Sequence, residues 1–211
     1  RGGPVLTFPA NSRTDKLRPE ELRKVLTYLS SIPCEEAREL GFSVVIDMRG
    51  STWVVVKPIL KVLQECFPAK IHAAYIIKPD NFWQKQRTSM GSSKYKFETN
   101  MISPEALLKY IDPSQLTSDL DGTLPYDHGQ WLELRMALEK FLWKTSELLE
   151  RLELMKEDLV SNKFAEDVAG AKRMIEDHLN AKKRVLQIPV DEVDLEGQQV
   201  LHRLGMGSSG G

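Results

Sequence analysis

Apolar positions follow two different periods along the chain. Over residues 4–126, β-branched and aromatic runs alternate with stretches of helical spacing. Val5, Leu6 and Phe8 make the first run, which Pro9 closes. Leu22, Val25, Leu26 and Leu29 then fall on one face of a helix that Pro33 ends. Phe42 to Ile46 is almost wholly apolar and runs into Asp47-Met48-Arg49-Gly50, which predicts a buried strand feeding a turn. Val56, Ile59, Leu60, Leu63 and Phe67 predict a second helix, stopped before Pro68. Residues 71–77 form a further buried strand, stopped by Lys78-Pro79. Strands alternating with helices argue for crossover units around a largely parallel or mixed sheet, an α/β fold.

Beyond Trp131 the strand pattern is gone. Trp131, Leu134, Leu138, Phe141, Thr145, Leu148, Leu152, Met155 and Leu159 are spaced three and four in strict alternation. All but Thr145 are apolar, which is the seam of a coiled-coil-like helix whose apolar line must pack on something. After a break at 160–163, Val168, Ala171, Ile175, Leu179 and Leu186 mark a second helix. Pro189 should kink or end it, residues 193–204 read as helical again, and Gly205 to Gly211 reads as a flexible tail. The domain reading is 1–128 for the α/β part, 129–204 for an incomplete all-α segment, and 205–211 for the tail.

Composition narrows the function classes. With 41% hydrophobic residues the chain can build a core. A formal net charge of −1 makes nucleic acid a poor default partner. Cys34 and Cys66 are far apart and read as small core hydrophobes, with no disulfide or zinc pattern. No run approaches the roughly 20 apolar residues of a membrane span. The expectation is a cytoplasmic protein, at most peripheral at membranes; no signal peptide is read in the sequence given, which opens at Arg1 without Met.

Catalytic signatures are missing from the sequence. It has no P-loop, no GxGxxG after a strand and no GxSxG elbow. His72 sits in a strand, His128 ahead of the long helix, and His178 and His202 in the helical half, each placed for structure. Asp47 stands at the carboxyl end of a strand, where α/β sites form, yet has no Ser or Cys partner and reads as a turn or helix-start residue. The expectation is no catalytic residue, no metal and no cofactor.

One stretch combines cations with aromatics. Lys78, Lys85, Arg87, Lys94 and Lys96 interleave with Phe82, Trp83 and Tyr95. Aromatics suited to a headgroup interface beside cations suited to anionic lipid fit a membrane-facing loop or pocket mouth. The alternative is a solvated loop with Phe82 and Trp83 tucked into the core.

The order of motifs resembles the CRAL-TRIO lipid-binding domain. Arg1 to Phe8 is similar to its opening strand, Phe42 to Gly50 to its strand ending in Asp, and Phe67-Pro68 with Ile71 to Pro79 to its aromatic-Pro turn and following strand. Leu108 to Gly122 resembles the closing element that leads to a glycine pair. The wording is most similar to the amino-terminal domain of the Trio/kalirin Rho guanine-nucleotide exchange factors, at Arg1 to Pro9, Val45 to Gly50, Ile76 to Arg87 and Asp112 to Thr117, continuing into the start of a spectrin repeat. Two departures stand out: the segment after the strand is short and polar (Gln84 to Lys94), where lipid-transfer members carry an apolar gating helix, and the glycine pair reads Asp121-Gly122. The resemblance implies a non-enzymatic module that contacts phosphoinositide or anionic membrane, other domains of its parent, and Rho-family GTPases only through that parent. A pure spectrin-type scaffold is the alternative.

Overall fold

The computed structural model describes residues 2–10, 16, 18–78, 95–160 and 164–208, with side chains to 205. It divides into two compact units, Arg1–Pro125 and Tyr126–Gly211.

In the first unit, strands β1 (Val5–Phe8), β2 (Phe42–Asp47), β3 (Ile71–Ile77) and β4 (Glu98–Ile102) form one sheet in that order. All three pairings are parallel. Helices α1 (Pro19–Ser31) and α2 (Glu35–Glu39) join β1 to β2, and α3 (Trp53–Cys66) joins β2 to β3. Sequential parallel strands with right-handed crossovers carry their helices on one face. That face is filled by Val44, Ile46, Ala74 and Ile76 against Leu22 and Leu26 of α1 and Val56, Ile59, Leu60 and Leu63 of α3.

The second face needs another cover, because β2 and β3 are apolar on both sides. Val45, Ala73, Tyr75 and Ile77 pack there against Leu107, Ile111, Leu116 and Leu120. These come from a closing segment made of α4 (Pro104–Leu107) and two 3₁₀ turns, Pro113–Gln115 and Ser118–Leu120. Tyr110 adds a ring 5.1 Å from that of Tyr75.

The second unit is helical: α5 (His128–Val160), α6 (Val168–Leu186) and α7 (Val190–Ser208). Asp127 starts α5 by accepting the Gln130 N–H at 2.8 Å. Rising numbers along α7 meet falling numbers along α5, which shows that α7 runs antiparallel to α5. Asp158 pairs with Arg184 at 3.9 Å, whereas Lys144 pairs with Glu192 at 3.6 Å and also with Glu196. The Glu196 carboxylate raises the Lys144 ammonium above its usual range, and its own carboxyl is lowered by the same hydrogen bond. Gly197 lets α7 approach closely, since a β-carbon there would stand 2.9 Å from the Phe141 ring.

Two expectations for this half need correction. The seam is not fully covered: Trp131, Leu134, Leu138, Phe141, Leu148, Leu152 and Met155 are half-buried, and Leu159 is 51% exposed. Helix α7 packs on one side of α5, and Leu159 lies past the last ion pair at Asp158. The tail is also shorter than read, because α7 continues through Gly205 to Ser208. Helix propagation adds one hydrogen bond per residue and carries past a single glycine. Leu148→Ala and Leu152→Ala should each cost roughly 1–2 kcal/mol, below the ~2–5 kcal/mol of a fully buried leucine. Urea unfolding checks this, and a loss above about 3 kcal/mol would contradict the half-open seam.

Candidate functional site

Open parallel sheets present ligands at the carboxyl ends of their strands. Here that edge is made by the residues after β2 and β3. The Asp47 side chain is fully buried at the end of β2. Its Oδ1 accepts the Arg49 backbone N–H at 3.0 Å, and its two oxygens accept the Arg49 guanidinium at 2.6–3.0 Å. The same guanidinium donates to the Asp119 carbonyl at 2.5 Å. Gly50, with φ of 70°, lets the chain turn directly after this pair. The hydrogen bond to Asp47 holds the Arg49 guanidinium above even its usual high pKa. Asp47 thus serves the turn and an ion pair that ties β2 to the closing segment.

Lys78 follows β3 and donates its backbone N–H to the Ile102 carbonyl of β4 at 3.2 Å. It is 8% exposed, and burial pushes its ammonium below the usual lysine range. Sequence reading grouped it with surface cations; the structure places it inside the sheet edge. Lys85, Arg87, Lys94, Phe82 and Trp83 lie outside the described residues. At the far end of that segment Tyr95 is half-buried, stacked on Phe97 at 5.8 Å, and Lys96 is exposed. The Lys96 backbone N–H donates to the Gln64 side chain of α3 at 3.1 Å. The two ends of the basic-aromatic stretch are therefore anchored, one on β4 and one on α3.

The closing segment carries the feature that sequence reading flagged only as a departure. Asp121 adopts a left-handed conformation, φ 59° and ψ 24°. Gly122 then sits so close to Leu116 that a β-carbon would meet its carbonyl oxygen at 1.9 Å. Hydrogen bonds from Gly122, Thr123 and Leu124 N–H to the carbonyls of Thr117, Pro113 and Leu116 close the loop. Sequence reading missed the Arg49 bridge to Asp119; the only signal was a charged pair two residues apart after a buried strand. In the helical unit, Tyr126 Oη lies 2.7 Å from His128 Nδ1, and the His128 ring stacks on Trp131, a packing role for this histidine. Among the described residues no cluster of His, Cys, Asp or Glu is disposed to hold a metal ion. No described helix is long and apolar enough to cross a membrane.

Residues 2–129, which hold the parallel sheet, its helices and the closing segment, match the model of the divergent CRAL/TRIO domain. The chain belongs to this family. Among curated relatives, human SEC14 domain and spectrin repeat-containing protein 1 is 40% identical over 159 residues, covering 74% of this chain and 23% of that protein. The human probable guanine nucleotide exchange factor MCF2L2 is 32% identical over 205 residues, covering 94% of this chain and 18% of its own length. The rat guanine nucleotide exchange factor DBS is 31% identical over 213 residues, 96% of this chain and 18% of that protein. The chain spans less than a quarter of each of these relatives. The similarity to the exchange factors runs past the CRAL/TRIO domain into the long helices, which fit a spectrin-like segment.

Proposed function

We propose that this chain is a non-catalytic, membrane-contacting module of a Rho guanine-nucleotide exchange factor, with exchange carried out by domains outside this sequence. The observation that carries the reading is the CRAL/TRIO match over residues 2–129 in a chain similar almost end to end to two exchange factors. CRAL/TRIO domains are lipid-binding modules. The ligand class is phosphoinositide or another anionic headgroup, met from outside. Both faces of the sheet are filled by the chain's own side chains, and the stretch between the anchored Lys78 and Tyr95 is polar, basic and aromatic. The proposed contact runs through Lys85, Arg87, Lys94 and Lys96 beside Phe82 and Trp83, with Lys78 and Tyr95 at its base.

Each cation near an anionic surface is worth on the order of 1 kcal/mol. Replacing Lys85, Arg87, Lys94 and Lys96 together by Glu should weaken binding to phosphoinositide vesicles by far more than about tenfold, and salt should screen the parent's binding. Sedimentation with such vesicles at low and physiological salt measures both. A quadruple variant that binds as the parent does places the contact elsewhere. A parent that never binds favours the second reading, a spectrin-type scaffold, for which the exposed apolar lines of α5 and α6 speak.

A further inference from the structure

The two covers of the sheet in the first unit differ in charge. Helix α3 carries Lys57 and Lys61 against a single acid, Glu65. Lys96 is tied to the same helix by its hydrogen bond to Gln64, which makes three bases to one acid, or +2. Helix α1, on the same face of the sheet, is balanced, with Glu20 and Glu21 against Arg23 and Lys24. On the opposite face the closing segment, residues 103–124, holds Glu105, Asp112, Asp119 and Asp121 against Lys109 alone, or −3. The Asp47–Arg49 pair is neutral. An anionic surface is therefore drawn to the α3 side and repelled by the closing segment.

The α3 bases also stand in line with an exposed apolar side chain. Val56, Ile59, Leu60 and Leu63 turn into the core. That leaves Val54, Lys57, Lys61 and Gln64, spaced three, four and three, along the outer side of the helix. Lys57, Lys61 and Lys96 are all exposed. Val54 opens the line in the first turn and is 78% exposed, more than any other large apolar side chain described in this unit. Glu65 stands eleven residues further on, about 16 Å along the axis from Val54. An aliphatic group beside long-stemmed cations suits a headgroup layer, with the valine at the acyl boundary and the ammonium groups at the phosphates.

We propose that α3 is the helical part of a membrane contact: the line Val54, Lys57 and Lys61, continued by Lys96, lies against anionic lipid, and the closing segment faces away from it. This rests on the lipid reading above and adds to it the face of the domain that meets the surface.

Sedimentation of the whole chain with phosphatidylcholine vesicles containing phosphatidylserine and phosphatidylinositol bisphosphate tests it. Lys57→Gln with Lys61→Gln should weaken binding by about 25-fold, since each cation near an anionic surface is worth about fivefold. Lys109→Glu lowers the net charge equally, but on the opposite face, and should leave binding within about twofold of the parent. Val54→Trp should tighten binding, because indole settles at the headgroup level. All four side chains are exposed, so each variant should keep the parent's circular dichroism and urea midpoint. A Lys57/Lys61 variant that binds as the parent does overturns the proposal and leaves the lipid reading standing. So does Lys109→Glu weakening binding as much as the double variant, since net charge alone would then account for the contact, or Val54→Trp binding no tighter than the parent. A parent that binds none of these vesicles overturns both.

Discussion

Gly122→Ala is expected to lower stability by on the order of 3–5 kcal/mol, among the largest losses a single methyl group can cause here. The added carbon would stand 1.9 Å from the Leu116 carbonyl oxygen and 2.5 Å from the Leu116 β-carbon, so backbone must move. Leu116 and Leu120 of this segment are both 1% exposed beneath it and cover Val45 and Tyr75. Moving them uncovers the second face of the sheet. Asp121→Gly is the matching control: at φ 59° glycine relieves the left-handed penalty, and stability should hold or rise by up to about 1 kcal/mol. Urea unfolding gives both values, and faster amide exchange at Leu120, Gly122 and Leu124 in Gly122→Ala would place the damage in the closing segment. A loss under about 1 kcal/mol would contradict the packing described.

Arg49→Ala should destabilise by roughly 2–4 kcal/mol, somewhat below the ~3–5 kcal/mol of a fully buried pair because the arginine is partly exposed. Its removal leaves the buried Asp47 carboxylate without its guanidinium and frees the Asp119 carbonyl. Arg49→Lys keeps the charge but not the fork that spans Asp47 and Asp119, so it should recover only part of the loss. Replacing both Asp47 and Arg49 by leucine should cost less than Arg49→Ala alone, since no unpaired charge remains buried. If Arg49→Ala and the double variant lose the same amount, the ion pair is not what ties β2 to the closing segment.

The fold was legible wherever burial forces a pattern. Residues 42–47 and 71–77 lie under cover on both faces, so they read as continuous apolar runs, and the long α5 announced itself by its three-four seam. Strand β4 did not, because Glu98-Thr-Asn-Met-Ile102 is an edge strand, half-exposed and polar at three of five positions. The five-residue α2 has no buried residue and so no periodicity to read. At the candidate site, composition showed cations and aromatics together but could not show that Lys78 goes inward, because that depends on β4 closing over its backbone. The bridge from Arg49 to Asp119 spans 70 residues of sequence and left no local trace.

In the proposed function this CRAL/TRIO domain meets lipid at its surface and holds none in its interior. Val44, Val45, Ala74, Ile76 and Ile77, all 0% exposed, are packed against protein on both faces of the sheet. Mass spectrometry of an organic extract of the purified chain tests this most directly, run beside the phosphoinositide vesicle assay. The account predicts vesicle binding with far less than one lipid extracted per chain. One acyl lipid recovered per chain would contradict it.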